Sequence, residues 1–268
     1  MRADQETYTH GHAPSVLRSH ESRTVANSAA YLVPHLRPGA SVLDVGCGPG
    51  TITADLARHV APGPVLGLEP TAGPLATARE HAAGLPNVTF AVGDVYALEH
   101  PDDSFDVVHA HQVLQHLGDP VAALQEMLRV CRPGGVVAAR DADYGGMFWH
   151  PADPRLDRWL AVYRAVAHAN GAEPDAGRRM QAWARAAGAG SVTATASVWS
   201  YATRDERAWW GGMWADRILT SAITDQAVDG EFATEADLRE ISAAWRDWAA
   251  DDDGWFAIVH GEILCTPA

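Results

Sequence analysis

Val42-Leu43-Asp44-Val45-Gly46-Cys47-Gly48-Pro49-Gly50 is the stretch that decides the fold. Val42, Leu43 and Val45 make the continuous apolar run of a parallel strand covered on both faces, and Thr51-Ile52-Thr53-Ala54-Asp55-Leu56 resumes at helical spacing. The loop between them therefore sits at a strand's carboxyl end and opens a helix. Gly46, Gly48 and Gly50 accept positive φ and carry no Cβ, so a ligand can approach the backbone N–H groups at the helix start.

Spacing narrows the choice of ligand. A dinucleotide loop of the form G-x-G-x-x-G would place its third glycine at Thr51, whereas here an extra glycine falls at Gly50. The pattern D-x-G-x-G-x-G instead resembles the first motif of the class I S-adenosylmethionine-dependent methyltransferases. Downstream, Pro64-Val65-Leu66-Gly67-Leu68-Glu69 is a second apolar strand ending on a carboxylate, placed to accept from both hydroxyls of a ribose. A nicotinamide dinucleotide also carries such a ribose. Gly93-Asp94-Val95, after the strand Val88–Val92, separates the two: a G-D-[AV] step resembles the adenine site of the methyltransferases and has no dinucleotide counterpart.

Phe105-Asp106-Val107-Val108-His109-Ala110 followed by His111-Gln112-Val113-Leu114-Gln115-His116-Leu117 is similar to the same superfamily, nearest the branch that includes the quinone-biosynthesis enzymes. Arg132-Pro133-Gly134-Gly135 before Val136-Val137-Ala138-Ala139 matches its R-P-G-G step, a helix end closed by glycines ahead of a fifth strand. That strand leads into Arg140-Asp141-Ala142-Asp143-Tyr144, whose two carboxylates project alike if the strand continues. His109 and His111 also share a face, but no carboxylate accompanies them at metal-ligand spacing, and no metal is expected.

A donor site is expected from Asp44, Gly46, Cys47, Gly48 and Gly50 of the loop, Glu69 and Pro70 at the second strand's end and His111 at the fourth's, with Asp94 and Val95 taking the adenine-site roles that the resemblance implies; Tyr8, His12 or His20 closes over the ligand in one reading of the N-terminal segment, which in the other only covers the sheet edge. Tyr8, His12 and His20 crowd a segment that reads as an N-terminal helical cap, in which Val25, Ala29 and Leu32 lie on one face of a helix ended by Pro34. His111 is the first choice for a general base, with Asp143, Tyr144 and His116 behind it.

Beyond Tyr144 the pattern is a helix through Leu156, Leu160, Tyr163 and Ala167, and another through Met180, Trp183 and Ala187. A half-buried strand follows from Val192 to Val198. Seven of the ten tryptophans follow residue 190. Trp209, Trp210 and Trp214 cannot all be core, so at least one is expected to wall an acceptor pocket, unless an oligomer contact covers it. Thr234-x-x-Asp237 reads as a capping box ahead of Leu238, Ile241, Trp245 and Trp248, and Trp255–Leu264 as a last, antiparallel strand.

The expected fold is α/β, a doubly wound Rossmann-like seven-stranded sheet with an antiparallel last strand. It is read as one domain over 1–268: an N-terminal helical cap over 1–38, the core sheet over 39–203 and 254–268, and a late helical lid over 204–253. A net charge of −14 disfavours nucleic acid as a partner. Cys47, Cys131 and Cys265 are scattered and outside any C-x-x-C pair, so neither a disulfide framework nor a thiolate zinc site is expected. No apolar run approaches membrane-spanning length and Met1–Glu6 is polar, so a cytoplasmic protein without a membrane partner is expected.

The implied reaction is transfer of the methyl of S-adenosylmethionine to an oxygen, nitrogen or carbon of a small acceptor, aromatic or partly apolar, leaving S-adenosylhomocysteine. A methyltransferase-fold protein with a non-methylating or regulatory role, a nicotinamide oxidoreductase, and a homodimer remain open alternatives.

Overall fold

The computed structural model describes residues 20–268. The Tyr8 and His12 expectations lie outside the described residues. The strands β1 (Val42–Val45), β2 (Val65–Glu69), β3 (Val88–Val92), β4 (Phe105–His111), β5 (Cys131–His150), β6 (Ser191–Tyr201) and β7 (Trp255–Thr266) form one seven-stranded sheet in the order β3-β2-β1-β4-β5-β7-β6. The first five strands pair in parallel, and β7 runs antiparallel to both β5 and β6. The order reverses between β1 and β4, and at this switch point an open α/β sheet forms its ligand crevice.

Each face of the sheet has its own core. One packs Val25, Leu32, Val42, Leu56 and Val107 beneath α1 (Val25–Ser28) and α2 (Thr51–Val60). On the other face Leu43, Val45, Val108, Leu124 and Met127 pack together beneath α4 (Pro120–Val130), while α3 (Leu75–His81) follows β2. The alternation of β1 divides Val42 from Leu43 between these cores, which is why the whole strand is apolar and buried.

Two details differ from the sequence expectation. Val25, Ala29 and Leu32 are buried at 2%, 0% and 0% exposure, but they do not share one helix. Ala29 leaves helical geometry at φ −140°, and a 3₁₀ turn over Ala30–His35 carries Pro34 inside it, keeping Leu32 on the buried face. Helix α3 stops at His81, and Gly84 turns the chain at φ +83°. β5 runs on past Tyr144. Antiparallel pairing with β7 carries it to His150, with a register shift between Asp143 and Phe148. Because side chains alternate along this extension, Ala142 and Tyr144 face the crevice while Asp141 and Asp143 face away from it.

The expected lid is built of α7 (Arg204–Thr220), α8 (Ala222–Asp229) and α9 (Glu235–Ala250), all between β6 and β7. Earlier in the chain, α5 (Pro154–Ala169) and α6 (Met180–Ala186) follow β5. The capping box at Thr234 forms: its hydroxyl accepts from Asp237 N at 3.1 Å, and Asp237 Oδ2 accepts from Thr234 N at 2.8 Å. The three helices are not a detachable flap. With α5 and the ends of β5 and β7 they enclose a third core around the fully buried Trp159, whose ring meets Trp214 at 4.6 Å and Trp245 at 4.9 Å, both edge to face.

Trp159→Ala is expected to cost about 3–5 kcal/mol in chemical denaturation, since the rings around it cannot collapse into the void. Val198→Ala, at a site 54% exposed on the edge strand, is expected to change stability by less than about 0.5 kcal/mol. Equal effects would contradict the placement of this third core.

Candidate active site

Outside the carboxyl ends of β1, β2 and β4 lies a cavity of about 280 Å³. Its floor is the glycine loop. A Cβ at Gly48, which has φ +54°, would meet no atom within 4 Å, so the room it leaves is open to a ligand. Gly50 serves differently: at φ +76° it starts α2, and a Cβ there would lie 2.8 Å from Ala78 Cβ, so it permits close packing on α3 and does not line the cavity.

Asp44 braces this loop. Its carboxylate is 2% exposed, with Oδ1 accepting from His109 Nδ1 at 2.7 Å and Oδ2 accepting from the Thr53 hydroxyl at 2.6 Å. One carboxylate thus ties β1 to its neighbour β4 and to the first turn of α2. His109 is held to Asp44 through Nδ1, and no group of three or more metal-ligating side chains occurs among the described residues.

Glu69, at the end of β2, accepts from Gly48 N and lines the same cavity as Pro70 and Cys47. Burial raises its carboxyl pKa to about 7, against the lowering effect of the Gly48 N–H, and nearby Asp44 adds to the rise. Gly93 and Val95 line the wall beside it, and Gly93 N donates to Glu69 O at 2.9 Å. Asp94, between those two, is not itself a lining residue; its Oδ1 accepts from Tyr96 N at 3.0 Å.

At the end of β4, His111 lines the cavity at 5% exposure, and among the described residues neither ring nitrogen has a hydrogen-bond partner. Burial first, then the Arg23 and Arg140 cations, hold its pKa well below the usual imidazole value. His116, also lining, is pushed down to about 3 by burial and Arg23. Both are therefore neutral at pH 7, and His111, the first choice for a general base, is a weak one. Tyr144 lines the cavity and stacks on Tyr163 at 4.0 Å. Asp143 does not line it: Arg178 holds the carboxylate through Nε at 2.7 Å, Nη2 at 2.5 Å and its own N–H at 3.0 Å. The expectation of Asp143 as a base is thus corrected; its lone pairs are committed to an ion pair.

Several wall residues carry no local sequence signal. Gln112 adopts φ +54°, rare for a residue with a side chain, and is pinned there: its N donates to Arg140 O at 2.7 Å, its Oε1 accepts from Arg23 at 2.6 Å, and its amide nitrogen meets His260 Nε2 at 3.1 Å. Past His111 and Gln112 the cavity continues into an aromatic chamber walled by Trp199, Tyr201, Trp209, Trp210 and Trp214, with Arg217 among them. All three clustered tryptophans of α7 line it, where at least one was expected. Trp199 is held by an indole N–H to Asn27 O at 2.6 Å and by the Arg140 guanidinium 4.6 Å from its ring centre.

Comparison with known proteins agrees with this geometry. A family model for a methyltransferase domain matches residues 36–195. An uncharacterised methyltransferase of Schizosaccharomyces pombe is 34% identical over 97% of this chain and 96% of its own length. The demethylmenaquinone methyltransferase of Staphylococcus aureus is 39% identical, over 48% of this chain and 51% of its own, which supports the quinone branch only loosely. Among solved structures, phosphoethanolamine N-methyltransferase 2 of Haemonchus contortus, in complex with phosphomonomethylethanolamine and S-adenosylhomocysteine, has the same fold at a TM-score of 0.57. It is 18% identical and covers 90% of this chain and 52% of its own.

The chain belongs to the methyltransferase family and is a class I S-adenosylmethionine-dependent methyltransferase. The residues present fit that donor: an open cradle at Gly48, a carboxylate poised at the end of β2, and a neighbouring wall formed by Gly93 and Val95.

Two outcomes follow for variants. With the Glu69 carboxyl titrating at about 7, a donor that gives hydrogen bonds to its ionised form is expected to lose affinity about tenfold from about pH 8 to about pH 6, as the ionised fraction drops from about 0.9 to about 0.1. Glu69→Gln should flatten that profile in isothermal titration, and a flat wild-type profile would contradict the assignment. Asp44→Ala is expected to lose about 1–3 kcal/mol of stability because it leaves His109 buried without a partner; an unchanged denaturation midpoint would count against the brace.

Proposed function

We propose that this protein transfers the methyl of S-adenosylmethionine to a small-molecule acceptor lodged in the aromatic chamber. One observation carries the reading: a single cavity is lined at one end by Gly48 and Glu69 and at the other by Trp209, Trp210 and Trp214. When bound, the donor supplies a methyl on a cationic sulfur, open to in-line displacement by an acceptor atom. The chain's own task is to bind, align and keep water out.

In this reading Glu69 takes the ribose hydroxyls, Gly46, Cys47 and Gly48 receive the donor along the loop, Pro70 and Val95 flank its base, and Asp94 at the rim accepts from the adenine amino group. Asp44 and Gly50 act one step back, the first as brace and the second as packing contact. His111 stands between the two ends of the cavity. Its neutral imidazole, with neither nitrogen partnered among the described residues, can accept a hydrogen bond from an acceptor hydroxyl or amine and so orient it; its low pKa makes it a weak base. His116 and Tyr144 face the acceptor.

The chain is read as one methyltransferase domain over 1–268, with the core sheet over 39–203 and 254–268 and an acceptor-enclosing insertion over 204–253. No helix among the described residues is long and apolar enough to cross a membrane.

Isothermal titration with S-adenosylmethionine and with NAD, followed by mass spectrometry of an acceptor panel, tests the reading. Binding of S-adenosylmethionine alone and a product heavier by one methyl are expected. Tight donor binding with no methylated product would favour a non-methylating role on the same fold. Asp94→Ala is expected to weaken donor binding at least about tenfold, about 1.4 kcal/mol, through loss of a hydrogen bond to the adenine amino group; unchanged affinity would remove Asp94 from the site.

A further inference from the structure

We propose that Gln112 is a positioning residue for the donor: its side-chain amide, shared between Arg23 and His260, clasps the segment His20–Arg23 along the cavity and so sets how fast the donor leaves. The inference rests on the reading of this cavity as the donor's and adds a residue that controls exchange.

Position 112 is held at a conformational cost. A strand alternates its side chains, yet His111, Gln112 and Val113 follow one another and all line the cavity. The left-handed turn at Gln112, φ +54°, breaks the alternation at the end of β4 and makes this possible. Few residues with a side chain take that conformation, whereas glycine takes it freely. The chain nevertheless carries a glutamine here, and both ends of its amide are used. Arginine can only donate, so the Oε1 that lies 2.6 Å from Arg23 Nη2 accepts, and this turns the amide N–H groups toward His260 Nε2 at 3.1 Å. Burial, then the Arg140 and Arg23 cations, hold the His260 pKa well below the usual imidazole value, so the ring is neutral and its Nε2 can accept.

Arg23 belongs to the segment just before α1. His20, Ser22 and Arg23 of that segment line the same cavity as Gly48, Pro49 and Thr51. On one side the Thr51 hydroxyl donates to His20 O at 3.4 Å, and on the other Arg23 reaches Gln112. The segment therefore runs from the start of α2 to the end of β4, beside the glycine loop. Downstream it continues into an anchored stretch: Val25 N donates to Asp55 Oδ2 at 3.2 Å, and the Trp199 indole N–H donates to Asn27 O at 2.6 Å. A segment that lines the donor half and is tied to both sides of the crevice can retain a donor. The tie at Gln112 joins a cation to a neutral carbonyl, which is weaker than a cation on a carboxylate and so is able to open.

The test uses the full chain and reads two quantities: S-adenosylhomocysteine dissociation by surface plasmon resonance, and hydrogen exchange at His20–Arg23 without ligand. Gln112→Gly accepts the positive φ and removes the clasp. It is expected to release S-adenosylhomocysteine at least about tenfold faster and to speed exchange at His20–Arg23. Gln112→Glu sets a carboxylate against Arg23 in place of the neutral carbonyl and is expected to slow release at least about threefold. A side chain that only supported the backbone would release faster in both variants. Arg23→Ala is expected to speed release as well, and adding Gln112→Gly to it should change the rate by less than about twofold, because both remove one bond.

A smaller acceleration by Gln112→Gly, release not slowed in Gln112→Glu, or additive effects of Gln112→Gly and Arg23→Ala would overturn the proposal. Faster exchange at His20–Arg23 in Gln112→Gly, with no S-adenosylhomocysteine binding by the wild-type chain, would uphold the clasp and overturn the donor reading. S-adenosylhomocysteine binding with exchange and release unmoved by Gln112→Gly would do the reverse.

Discussion

The buried carboxylate of Asp44 is the constraint on which the crevice depends. It stands where the sheet reverses its order and where a ligand needs the backbone held still. By accepting at 2.7 Å from His109 and at 2.6 Å from Thr53, it fixes the end of β1 against β4 and the start of α2. The loop from Gly46 to Gly50 is suspended between those anchored points, so its positive-φ glycines are held in one conformation rather than left to sample many. A buried acid with fewer partners would be costly; here hydrogen bonding offsets the desolvation.

The second half of the site is built by a different force. α7, α8 and α9 are anchored through Trp159, Trp214 and Trp245 to α5 and to the extension of β5, so the wall of the aromatic chamber belongs to a packed core. That core is possible because β7 continues beside β5 as far as His150. Antiparallel pairing also places Glu262 opposite Arg140, where the Ser197 and Thr195 hydroxyls of β6 donate to the Glu262 carboxylate at 2.5 Å and 2.9 Å. Arg140 in turn supports Trp199, a wall of the chamber. Sheet pairing thus reaches the acceptor pocket through a chain of side-chain contacts.

The donor half was legible in the chain because its signals are local. A parallel strand covered on both faces is a continuous apolar run, a glycine loop follows it within a few residues, and a carboxylate at the next strand's end keeps the same register. The acceptor half is assembled from distant segments: Arg23, Gln112, Trp199, Tyr201 and Arg217 meet only in the folded molecule, and nothing near each one marks it. Asp143 misled for a related reason. Its two-residue spacing from Asp141 correctly gives a shared face, but only the partner Arg178 and the position of β7 decide which face that is. The low proton affinity of His111 is equally non-local, being set by burial together with Arg23 and Arg140.

The central claim is that the ends of β1, β2 and β3 converge to hold one adenosine-bearing donor, with its reactive end turned toward His111 and the tryptophan wall. A crystal structure with S-adenosylhomocysteine bound tests it most directly. The expected result is a ribose within hydrogen-bond reach of both Glu69 oxygens and a sulfur facing the aromatic chamber. A ligand bound elsewhere, or one whose ribose leaves Glu69 in solvent, would contradict it.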